Sequence, residues 1–112
     1  MEQLINEIVN DLKIELEPTD PRFNAAVLEA KVRNAVREVR MRRNYPSSYS
    51  QAQITTDLQN YYPTILNLAR YDYNQIGAEG QSEHSESSVT RRWHDREKLF
   101  HGVFAFVTVL NK

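Results

Sequence analysis

Apolar residues recur at helical spacing along most of the chain. Residues 2 to 14 place Leu4, Ile5, Ile8 and Leu12 on one face, with Glu2, Asn6, Glu7, Asn10 and Lys13 largely elsewhere. This predicts a short amphipathic helix that ends before Pro18. Asp20-Pro21 then offers an N-cap acceptor followed by proline at the first helical position, where its missing N–H costs nothing. A long second helix is expected over about 21–43, with Leu28, Val32, Ala35, Val36 and Val39 on its inward arc. Val27, Ala30 and Met41 form a weaker apolar stripe opposite, a pattern that suits side-by-side contact between subunits.

The next helix opens with a full set of start signals. Ser50 and Gln53 fit a capping box, and Tyr49 with Ile54 fits a hydrophobic staple around it. From Ile54 the apolar face continues through Leu58, Tyr61, Tyr62, Ile65, Ala69, Tyr73 and Ile76, and Pro63 should kink or split the helix near Tyr62. Asp72 falls on this face. It either pairs with Arg96 of the last helix or lies in water at the bundle rim. The last helix is expected after Asp95 as N-cap, carrying Leu99, Phe100, Val103, Phe106, Val107 and Leu110. FAFVTV also suits a strand, but the period from Leu99 to Leu110 favours helix. Between the two lies a long loop of about 77–94, holding Gly77 and Gly80 and a short extended arm at Val89–Trp93.

The expectation is therefore an all-α chain: a single domain over 1–112, a bundle of about four helices with a long loop before the C-terminal one. Forty per cent apolar and 26 per cent charged residues suit a chain that folds in water, and no apolar run approaches the roughly 20 residues that span a bilayer. No basic leader region opens the sequence, so the protein is read as soluble and unprocessed. With no cysteine there are no disulfides and no thiolate metal sites. The formal charge of −1 leaves attraction to nucleic acid to local asymmetry, chiefly the stripe Arg33, Arg37, Arg40. That stripe is either a solvated face with Glu29/Arg33 and Glu38/Arg42 pairs or a rail facing nucleic acid or an acidic neighbour.

Nothing in the sequence specifies an enzyme. GAEG at 77–80 lacks the lysine and hydroxyl of a phosphate-binding loop, and its glutamate would repel phosphate. His84, His94 and His101 lack metal-ligand spacing, and the serines at 82, 85, 87 and 88 lack a nucleophile elbow. No catalytic residue, metal ligand or cofactor is assigned. A small helical DNA-binding regulator using the basic helix 21–43 stands as the alternative reading, although that helix is long for a recognition helix and its arginines alternate with glutamates.

Taken together, DLKIEL, KVRNAVREVRMRRNYP, YDYNQIGAEG, SEHSESSVTRRW and DREKLFHGVFAF resemble the head-tail connector, or adaptor, family of long-tailed bacteriophages over nearly the whole chain. Ser87-Ser88 departs from the glycine turn expected in similar sequences. The resemblance implies a structural virion protein in the neck between head and tail, assembled in the host cytoplasm. It would form a homo-oligomeric ring, a dodecamer, on the portal protein, receive the next neck or tail-completion protein, and pass double-stranded DNA without sequence preference. It would have no cofactor and no membrane partner. Under this reading Arg33, Arg37 and Arg40 meet Glu79, Glu83 or Glu86 of a neighbour, with Arg91, Arg92 and Trp93 at the same subunit interface. Phe104, Val109, Leu110 and Lys112 dock on the portal, while Asp72, Arg96, Gly77 and Gly80 are structural.

Overall fold

Leu28, Val32, Ala35, Val36 and Val39, all buried, run along one side of the central helix and gather the others around it. The computed structural model describes residues 1–78 and 86–107. In order they form α1 (Glu2–Leu16), a 3₁₀ turn at Glu17–Thr19, α2 (Ala25–Arg43), α3 (Gln51–Gln59), α4 (Tyr62–Ala78) and α5 (Glu86–Lys98). The protein is an all-α bundle, with no strand among the described residues. Helix α2 contacts α1, α3 and α4.

The core is built where the periodicity placed it. Leu4, Ile5, Ile8 and Leu12 of α1 meet the α2 arc, Ile54 and Leu58 of α3, and Ile65, Leu68, Ala69 and Tyr73 of α4. Each fully buried leucine or isoleucine contributes roughly 1.5–3 kcal/mol relative to exposure. Leu68 joins this set, whereas Ile76, expected on the same face, is 39% exposed.

Local signals explain most boundaries. Ser50 and Gln53 close the capping box reciprocally: the Gln53 N–H donates to Ser50 Oγ at 3.1 Å, and the Ser50 N–H donates to Gln53 Oε1 at 2.7 Å. Pro63 divides the expected long helix into α3 and α4 and sits in the first turn of α4, where it removes no helical hydrogen bond. The start of α2 differs from expectation. Asn24, not Asp20, is the N-cap, its side chain accepting from the Val27 N–H at 3.1 Å. Asp20 instead closes a turn, taking the Arg22 N–H on Oδ1 and the Tyr73 hydroxyl on Oδ2 at 3.1 Å. Tyr73 accepts in turn from the Asn24 N–H, so α4 fixes where α2 begins.

The C-terminal part requires a larger correction. The stretch 77–94 is not one loop: α4 runs through Ala78 and α5 starts at Glu86, so Val89–Trp93 is helical, not an extended arm. Conversely, Leu99–Val107 is not a helix but a run of turns followed by a non-helical segment. Local propensity contributes to both. Straight-chain Glu97, Arg92, Arg96 and Lys98 favour helix, and Arg96 and Lys98 complement its C-terminal dipole. Beyond them Gly102 takes φ +88°, a left-handed conformation that stops helical continuation, and Val103, Phe104, Phe106 and Val107 are β-branched or aromatic.

Candidate functional site

Three surface features gather the chemistry-bearing side chains. The first lies where α2, α3 and the C-terminal segment meet, at Arg43. Its Nε donates to Asp57 Oδ2 at 2.8 Å and its Nη2 to Oδ1 at 3.0 Å, a fork matched to a carboxylate. Tyr45 adds a hydroxyl donor to Asp57 Oδ2 at 2.6 Å. Burial, followed by the hydrogen bond to Asp57, raises the Tyr45 phenol's pKa and keeps it a donor. Burial alone would raise the Asp57 carboxyl, but the Arg43 and Tyr45 hydrogen bonds and the Arg43 charge outweigh it and hold the group below its ordinary value.

This arginine also holds the C-terminal segment. Arg43 Nη1 donates to the Phe104 carbonyl oxygen, and the Phe106 N–H donates to the Arg43 carbonyl oxygen at 2.8 Å. The Phe106 ring centre lies 4.2 Å from the guanidinium carbon, 5.2 Å from the Tyr49 ring and 5.7 Å from the Tyr45 ring. Phe104 and Val107 point away, 70% and 82% exposed.

The second feature is a cleft of about 250 Å³ among α2, α4 and α5, lined by Lys31, Tyr71, Asp72, Gln75, Arg92, Trp93 and Arg96. Arg96 grips Asp72 and reaches Glu38 with Nη1 at 2.8 Å. Its hydrogen bond to Asp72 raises its pKa against the cost of burial, so it stays charged. Beside it Arg42 forks onto Glu97 at 2.6 and 3.0 Å and stacks over Phe100 with its guanidinium carbon 3.5 Å from the ring centre. The expected Glu38/Arg42 pair is therefore replaced by two pairs that tie α5 to α2. Trp93 is 58% exposed at the cleft's edge.

The third is an open groove of about 570 Å³ bordered by Arg37, Arg40, Met41, Asn44, Tyr45, Pro46, Ser47, Tyr49, Gln51 and Ile54. Among the described residues Arg37 bonds to Asn34 Oδ1 alone, at 3.3 Å, and Met41 stands 73% exposed.

The predicted site residues thus separate. Arg33 leaves the stripe, held by Glu2 at 2.8 and 2.9 Å and by Glu29 at 2.9 Å, while Arg37 and Arg40 face the groove. Arg92 and Trp93 lie across the molecule's α4–α5 cleft, not beside Arg37. Gly77 is within α4. Glu79, Gly80, Glu83, Val109, Leu110 and Lys112 lie outside the described residues, as do the side chains of Glu86 and Arg91. Sequence reasoning missed the Arg43–Asp57–Tyr45–Phe106 cluster. One signal was present: Asp57 is the only charged residue between Asn44 and Ala69. Among the described residues no three carboxylate or imidazole side chains converge as metal ligands, and no helix is long and apolar enough to cross a membrane. Comparison with family models, curated proteins and solved structures gave no significant match.

Proposed function

We propose that the chain is a structural connector subunit: it forms a ring between a portal and a tail in a bacteriophage neck, extends the DNA channel and helps retain packaged DNA. The observation that carries this reading is the C-terminal segment. It turns at Gly102, is pinned on the bundle through Phe104 and Phe106, and turns the Phe104 and Val107 side chains outward. Two large apolar side chains on a non-helical segment suit docking on a partner, since exposed apolar surface is relieved by burial in an interface. The resemblance of the sequence to adaptor proteins supports the portal as that partner.

Arg37 and Arg40 beside Met41 suit the contact with a neighbouring subunit, because a basic rim around an apolar centre matches an acidic patch. The DNA-reading alternative has less to support it. Arg33, Arg42 and Arg43 are engaged by carboxylates of this same chain, which removes three positive charges from any rail along α2.

Native mass spectrometry tests the reading. The dilute protein is expected as a monomer that adds to portal rings from the same source as a closed multiple. A stable dimer that ignores the portal and protects DNA base-selectively would replace the connector with the regulator.

A further inference from the structure

Residues 103–107 lie on the bundle as a short peptide lies in a receptor groove. The receptor side is Arg43, Tyr45 and Tyr49, with Asp57 orienting the guanidinium, and all four belong to α2, α3 and the turn between them. The ligand side is the Phe104 carbonyl, the Phe106 N–H and the Phe106 ring. None of these contacts depends on which copy of the chain supplies the segment.

What keeps the segment on its own bundle is the turn before it. The Val103 N–H donates to the Phe100 carbonyl at 2.9 Å, and Gly102 takes φ +88° with nothing within 4 Å of the position a Cβ would occupy. Straightening Gly102 would carry residues 103–107 outward, drawing Val103 off the core it packs against. Every bond and ring contact of the docked segment can then be remade on another copy.

We propose that the Arg43–Tyr45–Tyr49 groove is an exchange site, in which segment 103–107 of one copy seats on the bundle of the next. It rests on the connector reading for its use: exchange passed head to tail gives the heterologous contact that closes a ring. Tethering on a short link gives an effective concentration in the millimolar range, so a dilute chain keeps its own segment. Crowding copies on a template brings neighbouring grooves within reach and drives the exchange.

The test uses the whole chain, alone. Since it contains no cysteine, introduced thiols are unique. One copy carries Ser48→Cys and the other Ala105→Cys, exposed positions next to Tyr49 and Phe106 that leave both rings in place. Mixed and treated with a short bismaleimide, the two should give a cross-linked heterodimer that grows with protein concentration and disappears when Phe106→Ala is added to the Ala105→Cys copy. Gly102→Ala strains only the returning turn and should raise the cross-linked fraction at fixed concentration about five-fold or more. A heterodimer no more abundant than in the same mixture carrying Phe106→Ala, or no rise with Gly102→Ala, would overturn the proposal. Portal addition is read in a separate experiment, so the connector reading and the exchange can fail independently.

Discussion

Arg96 meets Asp72 as a fork, Nε to Oδ1 and Nη2 to Oδ2, each at 2.8 Å, and so joins the last turn of α5 to the middle of α4. Both side chains are mostly shielded, 23% and 18% exposed. This contact matters because residues 92–98 of α5 bury no side chain in the core. Ion pairs through Arg96 and Glu97, the Tyr71 hydroxyl bond to the Arg92 carbonyl, and Phe100 just beyond the helix hold this end.

Arg96→Met should therefore loosen α5 selectively. Charge-assisted hydrogen bonds of this kind contribute about 1.5–3 kcal/mol, and their loss leaves Asp72 and Glu38 without their cation. Urea denaturation should show that loss, and amide exchange should accelerate over 92–98 while the amides of Ile8 and Leu58 keep their protection relative to global stability. Uniform acceleration across all helices would contradict local docking.

Asp57 gives a pH dependence whose sign is fixed. Its folded pKa is depressed, so the unfolded state binds the proton more tightly and stability rises with pH between the two values. The contribution is complete above the unfolded value, about 4, and is lost as pH falls through the folded one. The stability gap between the native protein and Asp57→Asn should be widest near neutrality and shrink below about pH 4. Denaturation midpoints across that range measure it.

Ser50→Ala removes one half of the capping box on α3. The expected cost is about 0.5–2 kcal/mol, with Ser50→Gly milder, since glycine is tolerated at N-caps. Thermal melts of the two variants decide the order.

Phe104→Ser and Arg37→Glu separate assembly from folding. Both residues are exposed, so stability should change by no more than about 0.5 kcal/mol. Native mass spectrometry with portal rings should show weakened addition for Phe104→Ser and impaired ring closure for Arg37→Glu. Normal assembly of both would remove those surfaces from the proposal. Arg33→Glu should differ from Arg37→Glu by opening the Glu2 and Glu29 contacts within the monomer.

The sequence by itself determined most of the core and the presence of the first four helices, though not where α2 begins, nor the burial of Leu68 in place of Ile76. Leu4, Ile8, Val32, Val39, Leu58 and Ile65 could be read as buried because a 3.6-residue period leaves one face apolar, and burial of that face dominates the energy. Ser50/Gln53 and Pro63 were legible because their effect is confined to one turn of backbone. Asp72 was legible only as a carboxylate in need of a choice between water and Arg96, and the fold made that choice.

Tertiary structure alone decided the rest. Leu99, Phe100, Val103 and Phe106 keep helical spacing, yet Gly102 and the aromatic groove at Arg43 hold the segment out of a helix, since contacts distant in sequence override a short periodic run. Apart from Glu29/Arg33 at i, i+4 and Arg96 as one of two choices for Asp72, the partners of the arginines were equally invisible. Arg33 pairs with Glu2 across 31 positions, Arg42 with Glu97 across 55 and Arg96 with Glu38 across 58. Charge carries no address along the chain, whereas an apolar period carries its own direction. Partners are fixed only once the packed helices have brought α2 beside α1, α4 and α5.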